Sequence, residues 1–416
     1  MKKLITLLLA LSLLALLAPA LASCADDGEV TTLYVYNWGE YISDGSEGSL
    51  DVNEAFEEWY FEKYGKKVKV NYSTFSSNEE MYAKLNSGAT SYDIVIPSDY
   101  IIERMIDEGM LRKLNFDNIP NIGNIDYQRV FKDTDGKPFY DPTGEYSVPY
   151  TFGTVGIIYN STMVDEADIG TWELMWNEKY AGNILQFNNS RDAFATALLK
   201  CGYSLNTQDE DEWREALEWL KEVQKPLVQG YVMDEIFNKM ENGSAAIAPY
   251  YAGDFFTMYE DNEDLAFCYP REGTNMFVDA MCIPTTSRNP EIAEAYISFM
   301  LTEEAAVANA EYICYASPNR LVVENEDYIA TMTDIHEDAM DILYGTSDIP
   351  LQSYRNLSPE MLSLVNTLWE DLKIESSINI AIIVLACAIV GGGVGAGVFF
   401  FVRSRKRRRI VASLWK

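Results

Sequence analysis

Between residues 31 and 110 the chain alternates short apolar runs with amphipathic stretches. The run at 32–36 has the length and composition of a strand, and Val52, Phe56, Trp59 and Lys63 mark one face of a helix over 51–64, stopped at Gly65. A strand at 67–72 follows, then a helix at 78–87 opened by the capping-box pair Ser77 and Glu80, a strand at 93–97 and a helix from 99. Strands and helices alternating at this length predict a parallel sheet covered by helices. Ligands of such sheets gather at the carboxyl ends of the strands.

The pattern then restarts. The stretch YSVPYTFGTVGIIYN at 146–160 is long, extended and marked by Pro and Gly, which fits a crossing between two lobes better than one buried strand. Beyond it come a strand at 182–187, the helix AFATALLKCG, a longer helix at 209–222, a strand at 244–251 and a helix from Gly253. A second extended crossing, TNMFVDAMCIP at 274–284, returns the chain and leads to a helix at 290–301. No internal repeat or low-complexity linker interrupts this order. The predicted fold is α/β and two-lobed, with 31–147 and 275–318 in one lobe and 148–274 and 319–373 in the other. Two lobes joined by two crossings leave a cleft between them, the favoured place for a small ligand, and closure by hinge motion is the expected working stroke.

Both ends carry a different signature. Residues 1–23 have a basic start at Lys2 and Lys3, an apolar run and small residues, the form of an export signal. The tetrad Leu21-Ala22-Ser23-Cys24 resembles a bacterial lipobox, which makes Cys24 the expected lipid-bearing residue. From 380 to 402 there are 23 residues without a charge, enough to cross a hydrocarbon core of about 30 Å. RSRKRRR follows directly, so the tail at 403–416 is predicted to be cytoplasmic and the rest external. No LPxTG-like pentapeptide precedes the span, so a retained transmembrane helix is expected rather than a sorting tail.

Charge sharpens the picture between the ends. All 64 acidic residues lie there with only 23 of the 32 basic ones, a formal charge of −41. Such a field excludes a nucleic-acid partner and speeds the approach of a cationic ligand, although an acidic surface also serves solubility. A single histidine, His336, leaves no basis for a zinc triad or a Ser-His-Asp site. Cys201, Cys268, Cys282 and Cys314 match no metal spacing and are either free thiols or up to two disulfides. No metal, cofactor or catalytic residue is expected.

The residues arriving at strand ends and on the crossings are Trp38, Tyr41, Ser98, Tyr100, Asn189, Asp192, Tyr251, Phe277 and Asp279, with Glu40 and Asp99 nearby. Ring faces attract ammonium groups and cover methylene chains, and carboxylates accept charge-assisted hydrogen bonds. Asp192 and Asp279, from different elements, suit two separated ammoniums of a linear diamine or triamine. Each residue also has a plainer reading. Asn189 and Asp192 open a helix, where such residues act as caps or dipole partners, and Trp38 or Tyr251 alone suits a core. Asp279, in an apolar strand, needs a partner for its charge.

The blocks LYVYNWGEYI, SNEEMYAKLNSG, YDIVIPSDY, YSVPYTFGTVGIIYN, PREGTNMFVDAMCIP and YASPNR, in this order over roughly 31 to 372, resemble the spermidine/putrescine-binding proteins of bacterial polyamine ABC importers. The resemblance implies a hinged periplasmic-binding fold of type II, a polyamine in the cleft, and delivery to permease subunits served by a cytoplasmic ATPase. It assigns Trp38, Tyr41, Tyr100, Tyr251 and Phe277 to an aromatic box, Asp192 and Asp279 to acidic contacts and Ser98 to a polar contact. Asn189 stands where that family commonly has an acid, Tyr251 and Phe277 where it has tryptophans, and Arg355 where it has a polar contact. A binding protein for another small cation or a neutral solute, a sensory ectodomain, and a hydrolase with paired carboxylates are the rival readings.

Overall fold

The computed structural model describes residues 30–131, 136–345 and 348–373. Among them no helix is long and apolar enough to cross a membrane. The expected signal at 1–23, Cys24, the span at 380–402 and the tail at 403–416 lie outside the described residues.

The first lobe begins as the pattern predicts. β1 (Thr31–Trp38) pairs in parallel with β2 (Val68–Phe75) and β3 (Ile94–Val95). Between them run α1 (Val52–Tyr64), capped by the Asp51 carboxylate, and α2 (Asn78–Asn86), capped by the Ser77 hydroxyl. The buried face of α1 is Val52, Phe56 and Tyr60 rather than the expected line through Trp59 and Lys63. Burial follows i, i+4 spacing here, while Trp59 is only partly covered and the Lys63 ammonium lies 4.4 Å from its ring, a cation–π contact at the surface.

The two long extended segments are strands, and they form the middle of the sheet. β4 (Ser147–Asn160) and β9 (Thr274–Cys282) pair antiparallel, and β9 joins β3 at Val95 and Cys282. From Val155 onward β4 changes partner to β7 (Ile247–Tyr251), and from Ile157 it also pairs with β8 (Leu265–Cys268). β5 (Ile184–Phe187) then pairs in parallel with β7 and β6 (Val228–Val232), and the short β10 (Leu351–Gln352) adds to β9. The hydrogen-bonded path is therefore β2-β1-β3-β9-β4-β7-β5-β6. It has a parallel stretch at each end and an antiparallel seam between, so two α/β units share a pair of strands.

Helices cover both units. α3 (Asp99–Asp107) follows β3, α4 (Ser190–Cys201) follows β5 and α5 (Ala252–Asp261) follows β7. The single helix expected at 209–222 is an α-helix over Glu210–Glu218 that passes into a π-helical turn at Trp219–Gln224. One core gathers Phe56, Tyr296 and Phe299 against β1, and the larger one contains Trp172, Phe187, Trp213 and Phe255. Cys201, Cys268, Cys282 and Cys314 are free thiols. Burial drives the Cys282 thiol well above its ordinary range and Cys314 to about 12, so both behave as small apolar fillers.

Candidate functional site

All nine residues expected at the site line one cavity at the carboxyl ends of β1, β5 and β7 and beside β9. Trp38, Asp192 and Asp279 face this common hollow from three separate elements. The turn after β1 bends sharply, with Glu40 at a φ of 48°, a left-handed conformation uncommon for a side-chain-bearing residue and typical of functional turns. That bend brings Tyr41 back to the cavity wall.

Asp279 lies on β9, 3% exposed. Its Oδ2 accepts the Tyr41 hydroxyl at 2.7 Å and its Oδ1 the Ser98 hydroxyl at 2.6 Å. Burial pushes its carboxyl up to about 6, while those two donors oppose the rise and Asp192 adds to it. Ser98 is held in turn by Asn78, whose amide donates to the hydroxyl at 3.0 Å. Phe277, two residues before Asp279 on the same strand face, packs onto Gly153 of β4. A Cβ at residue 153 would meet the Phe277 ring at 2.7 Å, so glycine is what lets the ring lie flat there.

Asp192 opens α4 at the far wall. Its Oδ2 accepts the Tyr251 hydroxyl at 2.7 Å and the Asn189 amide at 2.8 Å, and its Oδ1 accepts the Tyr354 hydroxyl at 2.8 Å. Asn189 fulfils its plainer reading as well, since its Oδ1 caps the helix by accepting the Asp192 N–H at 2.9 Å. Tyr251 stands edge-on to Phe277 at 5.3 Å, and Tyr100 edge-on to Tyr354 at 5.6 Å. These rings make continuous aromatic walls between the two acids.

Two residues noted near the site lie outside the cavity lining. Asp99, the first residue of α3, is wholly buried between Ser98 and Tyr100, which both line the cavity. Its Oδ1 accepts the Tyr100 N–H at 2.7 Å, and desolvation holds its carboxyl far above the usual range. Arg355 also stays out of the cavity. Its guanidinium grips the Glu103 carboxylate through Nε, at 3.2 Å to each oxygen, and through a terminal N–H, while the Asn356 N–H donates to Glu103 at 2.8 Å. The cation that does enter the wall is Arg191, 4% exposed, 4.4 Å from the Tyr354 ring and 5.0 Å from the Tyr100 ring. Its terminal nitrogens donate to the carbonyls of Arg355 and Leu205.

Further acids line the cavity that the sequence reading did not single out: Glu79, Asp234 and Asp254. Glu79 accepts the Tyr100 hydroxyl at 2.8 Å, and burial raises its carboxyl. Asp254 accepts the Tyr315 hydroxyl at 2.9 Å. Burial, with Asp234 and Glu40 close by, pushes it up to about 8. A usable signal existed for Asp254 and Glu79, since each falls in the first helical turn after a strand, the same place as Asp192. Tyr354 and Tyr315 come from loops late in the chain, and no local pattern marks them.

Known proteins share this architecture. The family described as bacterial extracellular solute-binding protein matches residues 54–334. A spermidine/putrescine-binding periplasmic protein of Salmonella typhimurium is 34% identical over 329 residues, 78% of this chain and 88% of that one. A putrescine/cadaverine-binding protein of Pseudomonas aeruginosa is 27% identical over 87% of this chain and 99% of its own. The solved structure of a putative spermidine/putrescine ABC transporter protein from Listeria monocytogenes superposes with a TM-score of 0.71 at 33% identity, covering 83% of this chain and 99% of that chain. The fold is thus matched in sequence and in structure, and the chain belongs to the bacterial extracellular solute-binding proteins.

Proposed function

We propose that this protein captures a polyamine of the spermidine/putrescine class in the cavity between its lobes and presents it to the permease subunits of an ABC importer. The observation that carries this reading is the make-up of the cavity wall. Glu40, Glu79, Asp192, Asp234, Asp254 and Asp279 line it with a single cation, Arg191, among rings of tryptophan, tyrosine and phenylalanine. A cation gains most from that excess of carboxylates, since a charged donor strengthens each hydrogen bond to them. An amine chain gains about 0.5–2 kcal/mol for each ammonium on a ring face and about 1.5–3 kcal/mol for each charged hydrogen bond. Trp38, Tyr41, Tyr100, Tyr251 and Phe277 enclose the methylenes, Asp192 and Asp279 hold ammoniums, and Ser98 and Asn189 orient those acids. The binding role uses no cofactor and no chemical turnover.

Capture closes 31–147 with 275–318 onto 148–274 with 319–373 by hinge motion about the crossing strands. Lipid on Cys24 and a membrane span at 380–402, with 403–416 cytoplasmic, keep the binding lobes outside the cell beside the permease. Calorimetric titration of the full-length protein with putrescine, spermidine, glycerol and amino acids tests the reading. Micromolar or tighter binding of at least one polyamine supports it, and selective binding of a neutral solute or an amino acid sinks it.

A further inference from the structure

A β-strand places alternate side chains on one face. On β9 that face carries Asp279 and Phe277, and two residues further back Asn275, which lines the same cavity. Asn275 is 3% exposed, and its buried Oδ1 accepts no hydrogen bond from any described residue. With Asp192, Thr196 and Tyr354 it also borders a gap too small to hold a water. Buried amide oxygens nearly always have a partner. This one stands without a protein donor next to the acid at one end of the cleft.

The acceptors at that end can be counted. Asp192 already receives Tyr251 and Asn189 on Oδ2 and Tyr354 on Oδ1. A carboxylate has about four lone-pair sites, so about one is left, whereas a primary ammonium brings three N–H donors. We propose that Asn275 Oδ1 accepts a second N–H group beside the one Asp192 can still take, which makes Asn275 a specificity-determining residue that selects an ammonium with two or more N–H groups over a dimethylated one at the Asp192 end. The inference rests on the polyamine reading above. If Asn275 served only to brace β9 against Gln352, its register partner on β10, replacing it would change stability without changing the ranking of amines.

The test is calorimetry on the full-length wild type, Asn275→Leu and Asn275→Asp, each titrated with putrescine and with N,N,N′,N′-tetramethylputrescine, whose nitrogens keep one N–H each, with thermal melts alongside. The wild type should bind putrescine at least about tenfold more tightly than the tetramethyl compound, the loss of one charged hydrogen bond. Asn275→Leu should weaken putrescine about tenfold and leave the tetramethyl compound within about threefold of wild type, so the preference collapses. Asn275→Asp, which adds a charged acceptor and is readable even if the leucine variant does not fold, should tighten putrescine several-fold. An unchanged preference in Asn275→Leu, or putrescine binding no tighter in Asn275→Asp, overturns the inference and leaves the polyamine reading standing. A wild type that binds no putrescine and no spermidine overturns that reading itself.

Discussion

Two sets of carboxylates in the cavity are held differently. Asp192 accepts three hydrogen bonds and Asp279 two, all from side chains fixed by neighbouring elements. Asp254 accepts one, from Tyr315, and has Asp234 and Glu40 for company where the cavity adjoins a larger acidic hollow that also includes Asp44, Asp51, Glu54 and Glu57. Donors stabilise the charged form of an acid, while burial and like charges disfavour it. That is why Asp279 rises only to about 6 although deeply buried, whereas Asp254 rises to about 8. Asp192 and Asp279 are organised in advance of the ligand, and Asp254 becomes fully charged at neutral pH only when a cation arrives.

The largest effect should come from the organised acids. Asp279→Asn removes a charged partner from a desolvated ammonium and leaves Tyr41 and Ser98 aimed at a neutral amide. Polyamine affinity should fall by about 2–3 kcal/mol, roughly 30- to 150-fold, in calorimetry. Asp192→Asn should cost a similar amount, and a loss below about threefold in both variants would break the contrast between these two acids and Asp254.

A smaller but sharper effect is expected at Asp254. In the ligand-free protein this carboxyl is protonated below pH 8, and binding a cation beside it then requires releasing the proton. Affinity should therefore rise between pH 6 and pH 8 and flatten above, since the carboxyl titrates at about 8. Asp254→Asn should lose most of that rise, leaving only the part below about pH 6 that belongs to Asp279.

The same raised values fix the sign of ligand-free stability. Unfolded aspartates release their protons near pH 4, while folded Asp254 keeps its own until about 8. The native state thus binds the extra proton between these values, and stability falls as pH climbs through that window. Asp254→Asn should melt above wild type at pH 8–9 and near it at pH 4, as measured by thermal unfolding.

Much of this site could be read from the sequence because one rule, polar residues at the carboxyl ends of strands, generated most of it. The rule brings Trp38, Ser98, Asn189 and Tyr251 to the cavity lining, and alternation along β9 adds Phe277 and Asp279. Asp99 stays beside the cavity rather than in its lining, because its side chain folds back onto the Tyr100 N–H. Tyr354, Tyr315 and Arg191 owe their places to long-range packing, and so left no periodic trace. The antiparallel seam was legible as two extended segments, but which strands flank it depends on register across the whole chain.

The smallest effect should appear outside the cavity. Arg355 follows Tyr354, which bonds Asp192, and it clasps Glu103 on α3 of the opposite lobe. A partly exposed ion pair of this kind contributes about 0.2–1 kcal/mol. Glu103→Gln should speed ligand release by no more than about fivefold, less at high salt, with the ranking of amines unchanged. Stopped-flow dissociation would resolve it, and a change of ranking would mean that the clasp belongs to the site itself.

The most direct measurement is a crystal structure of the protein grown with spermidine. Methylenes should run between Tyr251, Phe277 and Trp38, with nitrogens within hydrogen-bond reach of Asp192 and Asp279. Spermidine seated elsewhere, or a cleft occupied by a neutral or anionic solute in its presence, would contradict the account.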